Sequence, residues 1–369
     1  MLQAGPPIPY APALDAPDAR ERESIAELKE VFAGMAQTVA RHEGHAYRAV
    51  HAKAHALLEG RFEVADGLAP ELAQGLFARP GRYRALLRLS SPPAEQLPDT
   101  VSTPRAIALK VLDVPGERID GGSGGQSQDF LMVNAPAFSA PDPAAFLRAA
   151  RLLAATTERM PRTKEVISTT LRGAGRLLEQ AGIEAAPIRG LGGEPMRHPL
   201  GETYFSQAPF LYGPYMAKFS LAPVSPALLA LEDQPLDADA DAQREALRDF
   251  FRTLDGEVEW ALRVQLCRNL ERMPVADPSV AWPEEVSPWQ VVARVAVPSQ
   301  PAWGPDSQAA DDRLAFSPWN ALAAHRPLGA INRARREVMA VSRNLRTRFN
   351  GCPIQEPGAA AGVASPHAD

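Results

Sequence analysis

From Tyr47 to Val64 the chain reads YRAVHAKAHALLEGRFEV, a rough alternation of apolar and polar positions that predicts a half-buried strand. Upstream, residues 23–42 place Ile25, Leu28, Phe32, Met35 and Val39 at helical spacing, so a helix precedes that strand. Downstream, PELAQGLFARPG (70–81) predicts a further helical piece, and Tyr83–Leu89 a strand closed by Ser90, Ser91, Pro92 and Pro93. Residues 105–113 alternate cleanly as another strand. Phe130–Phe138 is an apolar run broken only by Asn134. Helical patterning covers 143–182, with a second helix around 170–182. Strands follow near Tyr204–Gln207, Met216–Leu221, 258–267 and 289–298, an amphipathic stretch fills 241–255, and a helix spans 329–349. Strands and long helices come in separate runs, which predicts an α+β fold with a largely antiparallel sheet. Eight or so strands with apolar faces suffice to close a barrel. Residues 1–19, rich in Pro and Ala, read as an N-terminal arm, 20–350 as the folded domain, and 351–369 as a disordered tail.

Composition narrows the function classes. With 369 residues and 45% hydrophobic content the chain buries a full core. A net charge of -5, with no basic cluster interleaved with aromatics, argues against nucleic acid as a partner. The N-terminus lacks a basic-then-apolar signal pattern and no run is long enough to span a bilayer, so a soluble, cytoplasmic protein without membrane partners is expected. Cys267 and Cys352 form neither a disulfide framework nor a zinc spacing. GGSGGQS (121–127) lacks the Lys-Ser/Thr of a phosphate loop and reads as a flexible connection.

Four of the 7 histidines, His42, His45, His51 and His55, fall in or just before the first strand. A metal site built from them is weakly supported, because alternation puts only His51 and His55 on one face and no carboxylate completes a known spacing. Asn134 reads equally as a structural amide bonded to backbone and as a donor aimed at a ligand.

Several motifs in one order resemble the catalase superfamily, in particular its short bacterial catalase-related branch, over about residues 22–350. They are RAVHAKA (48–54), LRLSS (87–91), PRAIALKVLDVPGE (104–117), DFLMVNAPAF (129–138), HPLGETYFSQAPFLYGPYMAKFSLAP, VAWPEEVSPWQVVARVAVPSQ and FSPWNALAAHRPLGAINRARREV. The resemblance implies a catalase-like antiparallel β-barrel with surrounding helices and a haem b (iron protoporphyrin IX) buried between barrel and C-terminal helix. It implies His51 as the distal acid–base group, Asn134 as the amide that holds peroxide, and Ser90 as the hydroxyl that orients the histidine. Val50 beside His51 is aliphatic, as in true catalases. Arg48, Arg88 and Arg346 match the arginines that await the haem propionates, a task suited to a charge that cannot be lost. Arg335 matches the arginine four residues before the tyrosine whose phenolate binds iron, yet position 339 is methionine. At the helical rotation per residue, Arg335, Met339 and Arg346 fall within about 40° on one face; the resemblance puts Met339 at the metal-ligand position, where the thioether, a water or an open position is left for the iron. The expected function is a haem-dependent oxidoreductase acting on hydrogen peroxide or a small organic hydroperoxide, as a peroxidase or weakened catalase. The alternatives are a specialised haem enzyme for an organic substrate and a haem-binding or haem-free non-catalytic relative. Homo-oligomerisation is left open.

Overall fold

The computed structural model describes residues 5–120, 122, 125–156, 194–354 and 357. The helix expected around 170–182, part of the connection at 121–127 and nearly all of the expected tail lie outside them.

Among the described residues nine antiparallel strands form one sheet: β1 (Lys53–Val64), β2 (Gly81–Ser91), β3 (Ala106–Val111), β4 (Gln128–Val133), β5 (Tyr204–Phe205), β6 (Phe210–Tyr212), β7 (Tyr215–Pro223), β8 (Glu257–Leu266) and β9 (Gln290–Pro298). Their order is β5-β4-β3-β2-β1-β9-β8-β7-β6, and a further pairing of β5 with β7 closes an eight-stranded barrel, leaving β6 as a hairpin on β7. Closure removes the open edges on which another chain would pair. The interior is filled by side chains rather than left as a channel. Phe77, Phe130, Tyr212 and Phe219 stack and tilt against one another, with His325 inserted among them. A ligand must therefore bind outside the barrel wall.

Helices supply that second layer. Chief among them are α1 (Ala19–Glu43), α2 (Pro143–Thr156), α3 (Ala242–Thr253), α4 (Ser307–Arg313) and α5 (Ala330–Asn350). The Asp18 carboxylate caps α1 by accepting from the Glu21 N–H at 2.7 Å, and Gly44, at φ +69°, ends it. The apolar stripe predicted from 23–42 packs Leu28, Phe32, Met35 and Ala36 against Leu147 and Ala150 of α2 and Ala334 and Val338 of α5. The N-terminal arm does not stand away from the domain. Ile8 N–H donates to the Cys267 carbonyl at 2.8 Å, Pro9 bridges to Tyr215, and Arg333 of α5 reaches Asp15.

Three boundaries differ from the pattern-based expectation. Residues 70–81 form a single 3-10 turn, Gly75–Phe77. The left-handed φ of +53° at Gly75 interrupts a right-handed helix, and glycine is required there because a β-carbon would stand 2.4 Å from His325 Nε2. The first strand starts at Lys53 rather than Tyr47, and β4 ends at Val133 because the Asn134 side chain turns to other work, described below. β6, three residues long, is too short to show a period.

Candidate functional site

The chain enters β1 through an irregular segment whose backbone is held by side chains from elsewhere. Asn350 at the end of α5 accepts from Ala46 N–H at 2.9 Å and donates to the Ala46 carbonyl at 3.0 Å. Ser342 Oγ accepts from Ala49 N–H at 3.0 Å. Arg88 of β2 donates to the His51 carbonyl at 3.0 Å and, more weakly, to that of Ala52 at 3.4 Å. So held, His51 takes a left-handed backbone with φ +55°. A non-glycine residue there costs on the order of 1–3 kcal/mol and persists only where its surroundings over-determine it. His51 therefore precedes the strand instead of lying in it.

A cavity of about 210 Å³ opens beside His51, between the outer wall of β2–β4 and helices α1, α2 and α5. At about 10–15 Å³ per water position, it is far larger than a solvent pocket. Eight of the nine site residues expected from the motifs line it: Arg48, Val50, His51, Arg88, Ser90, Arg335, Met339 and Arg346. Its walls are otherwise mostly apolar, with Phe32, Leu131, Phe138 and Phe146 prominent.

The arginines do not wait for a ligand's charge, as the motifs implied. Asp311 of α4, 1% exposed, sits between two of them. Its carboxylate accepts from Arg48 at 2.5 Å and from Arg88 at 2.7 and 3.2 Å. Arg48 also donates to the carbonyls of Asp311 and Leu314, both at 3.0 Å. Arg346 approaches the same turn, donating to the carbonyls of Asp312 at 3.3 Å and Leu314 at 3.1 Å, while its Nε has no partner. Burial weighs against ionising Asp311. The fields of Arg48, Arg88 and Arg346, with the Arg88 hydrogen bond, outweigh it and hold the carboxyl well below the usual carboxylate range. Burial and Arg88 likewise weigh against the charge on Arg48, and arginine keeps its proton regardless. The Asp311 carboxylate thus pairs with two guanidiniums, its field and that of Asp312 reach the third, and the cluster remains net positive. No motif pointed to Asp311; the only signal was an acidic pair, Asp311-Asp312, ahead of the apolar LAF.

The same positive field acts on His51. Burial first, then Arg88 and Arg335, lowers its pKa to about 3, so the imidazole is neutral at physiological pH, with its Nδ1 lacking any partner. On the α5 side, Arg335 donates to Asn332 Oδ1 at 3.1 Å, with the Phe138 ring 5.6 Å away. Met339, one turn further along, presents a thioether to the cavity where the resemblance implied a phenol.

Two expected roles are not made. The Asn134 amide does not line the cavity: its oxygen accepts from Arg105 N–H at 2.9 Å and its nitrogen donates to Glu194 at 2.9 Å and Glu202 at 3.1 Å. The structural alternative holds, because Glu194 and Glu202 flank the buried Arg105 guanidinium and leave acceptors to fill. Asn134→Ala is expected to lower stability by about 1–3 kcal/mol in urea unfolding, with ligand binding in the cavity unchanged. Weakened ligand binding at unchanged stability would contradict that assignment. Ser90 lines the cavity but does not bond His51 Nδ1.

The neighbouring histidines disperse. His45 Nε2 lies 3.0 Å from Asp312. His55 is the extra residue of a bulge between Ala54 and Ala56 and bonds Ser91 Oγ at 2.9 Å. Among the described residues no group of three or more His, Cys, Asp or Glu could hold a metal ion.

No protein-family model and no curated protein matches this sequence. Solved structures do. A fungal catalase superposes with TM-score 0.57 at 17% identity, covering 86% of this chain and 63% of that one. Catalase A from Saccharomyces cerevisiae gives 0.60 at 17%, covering 86% and 65%. A bacterial catalase gives 0.60 at 16%, covering 90% and 66%. The fold is catalase-like, and the chain spans just under two thirds of the length of these catalases. No described helix is long and apolar enough to cross a membrane.

Proposed function

We propose that this chain is a haem-binding, catalase-related oxidoreductase that acts on hydrogen peroxide or a small organic hydroperoxide. The observation that carries the proposal is the convergence of eight motif residues, scattered from Arg48 to Arg346, on one mostly apolar cavity. The residues present fit a haem. The walls suit a flat apolar ring system, and the cluster of Arg48, Arg88 and Arg346 retains positive charge beyond what Asp311 and the adjacent Asp312 neutralise, which a ligand's acid group would meet. Met339 is the one soft donor that α5 offers to a metal.

When bound, haem supplies the redox chemistry by which peroxide is reduced to water while a donor, or a second peroxide, is oxidised. The chain's own task is proton handling. His51, neutral and fixed by its strained backbone, accepts a proton from one peroxide oxygen and returns it to the other. Its low pKa favours the return and handicaps the acceptance. Arg48, Arg88 and Arg346 would hold a ligand's acid groups, and negative charge held there would raise the His51 pKa. Met339 cannot supply the charge of a phenolate, and thioether ligation raises haem potentials, so the expected dismutation is weak.

Titration with hemin tests the proposal. A Soret band saturating near one equivalent is expected, and His51→Ala should slow peroxide consumption by about two to four orders of magnitude. No saturable binding would favour the haem-free alternative, to which Asp311 lends support as a counter-ion the chain already contains. Saturable haem with His51→Ala as fast as the parent would leave a haem carrier without the peroxide activity.

A further inference from the structure

Among the described residues lining the cavity, Arg335 carries a charge that burial penalises and that no carboxylate pairs with. Arg48 and Arg88 share Asp311, which also acts on Arg346, and Arg336 lies over the Trp319 ring at 4.8 Å. Arg335 has the neutral Asn332 oxygen and the Phe138 ring. Among the described residues no carboxylate pairs with it, and its Nε and second amino group make no hydrogen bond. Burial by itself draws its pKa down to about 10. Arg335 is half-buried; a cation partly withdrawn from water without a counter-charge is costly, and an apolar side chain of similar volume would serve packing better. The cost implies a partner that comes from outside.

We propose that Arg335 anchors a monoanion site on the α5 side of the cavity, occupied by a small organic carboxylate of formate or acetate size. The two free donors of the guanidinium fork match two carboxylate oxygens in a bidentate pair. Met339, Ile331 and Phe138 line the same cavity and offer apolar surface to the small body of such an anion. The neutral thioether at position 339 leaves the charge on Arg335 open to such an anion. The site belongs to the chain itself and does not rest on haem being bound.

The test titrates sodium formate into the full chain without haem, following thermal unfolding of the parent, Arg335→Leu and Arg335→Lys at matched concentrations so that ionic-strength effects cancel. In the parent the midpoint should rise and saturate. Arg335→Leu should begin at or above the parent midpoint, having lost an unpaired charge, and should show no saturable response. Arg335→Lys should keep the response with affinity weakened at least about fivefold, since an ammonium cannot form the bidentate pair. Equal responses in parent and Arg335→Leu would overturn the site, as would an Arg335→Leu midpoint well below the parent's without formate, which would make Arg335 structural. Should Arg335→Leu fail to fold, the lysine variant decides: unchanged affinity counts against the site and weakened affinity for it. In hemin-loaded protein, formate should also change the ferric absorption spectrum of the parent but not of Arg335→Leu. Failure to bind haem would refute the haem proposal while leaving the first titration intact.

Discussion

Asp311→Asn is expected to lower the stability of the folded chain by about 3–5 kcal/mol, the usual cost of removing one partner from a buried ion pair. The size follows from what remains. Arg48 and Arg88 both direct hydrogen bonds at this carboxylate, and Arg88 is 2% exposed. Asparagine keeps one acceptor oxygen, adds an N–H facing two guanidiniums and supplies no charge. The loss should propagate, because Arg88 also holds the carbonyls of His51 and Ala52, and with them the left-handed turn at His51. Urea midpoints of parent and variant, compared at pH 7 without ligand, measure the effect. Hemin should restore part of the loss if its acid groups enter the same cluster. A difference below about 1 kcal/mol, the range of an exposed pair, would mean that the cluster is solvated and that Asp311 is not its counter-ion.

What the sequence made legible, and what it did not, follows the physics of each residue. Helices α1 and α5 and most strands show in the periodicity of buried positions, because burial on one face imposes the period. The cavity residues were found through motif order, which reports positions along the chain and carries no partner. That is why Arg48, Arg88 and Arg346 were found and Asp311 was not: it sits in a seven-residue helix with no repeat to read, and its pairing spans more than two hundred residues. Asn134 stood open between two readings, and the deciding partners, Glu194 and Glu202, lie sixty or more residues away. His51 was assigned to the strand because alternation continues through it. The positive φ that removes it from the strand is set by Arg88 and α5, which a local pattern does not contain.

Acid should unfold this chain early, beginning below about pH 6.5, the ordinary histidine value, and before most carboxylates titrate. Four histidines are held neutral, His55, His198 and His325 buried and His51 half-buried. Burial, aided by Arg88 and Arg335, lowers His51 to about 3; burial lowers His198 and His325 to about 4; and burial with Lys53 and Arg244 lowers His55 well below its usual range. Two of these rings use a nitrogen lone pair that protonation would abolish. His325 Nε2 accepts from Leu76 N–H at 3.0 Å, and His198 Nδ1 from Leu200 N–H at 3.2 Å. Between about pH 6.5 and pH 4 the unfolded chain therefore binds protons that the folded chain refuses, and stability falls as pH falls. Each such proton costs about 1.4 kcal/mol per pH unit, so His51, His198 and His325 together contribute a slope of about 4 kcal/mol per unit, with His55 adding in the same direction. Over the window to pH 4 the loss is about 10 kcal/mol, comparable with a total stability of about 5–15 kcal/mol, so the unfolding transition is expected as pH approaches 4. Asp311 adds a later loss: its depressed pKa stabilises the fold above the unfolded carboxylate value, and that contribution disappears as pH drops further. Urea midpoints at pH 7.5, 6.5, 5.5 and 4.5, in buffers free of carboxylates, would test this, as would proton uptake on unfolding at pH 5. Midpoints that stay level between pH 7 and pH 5, or uptake below one proton, would mean that the four rings are charged or solvated in the folded protein.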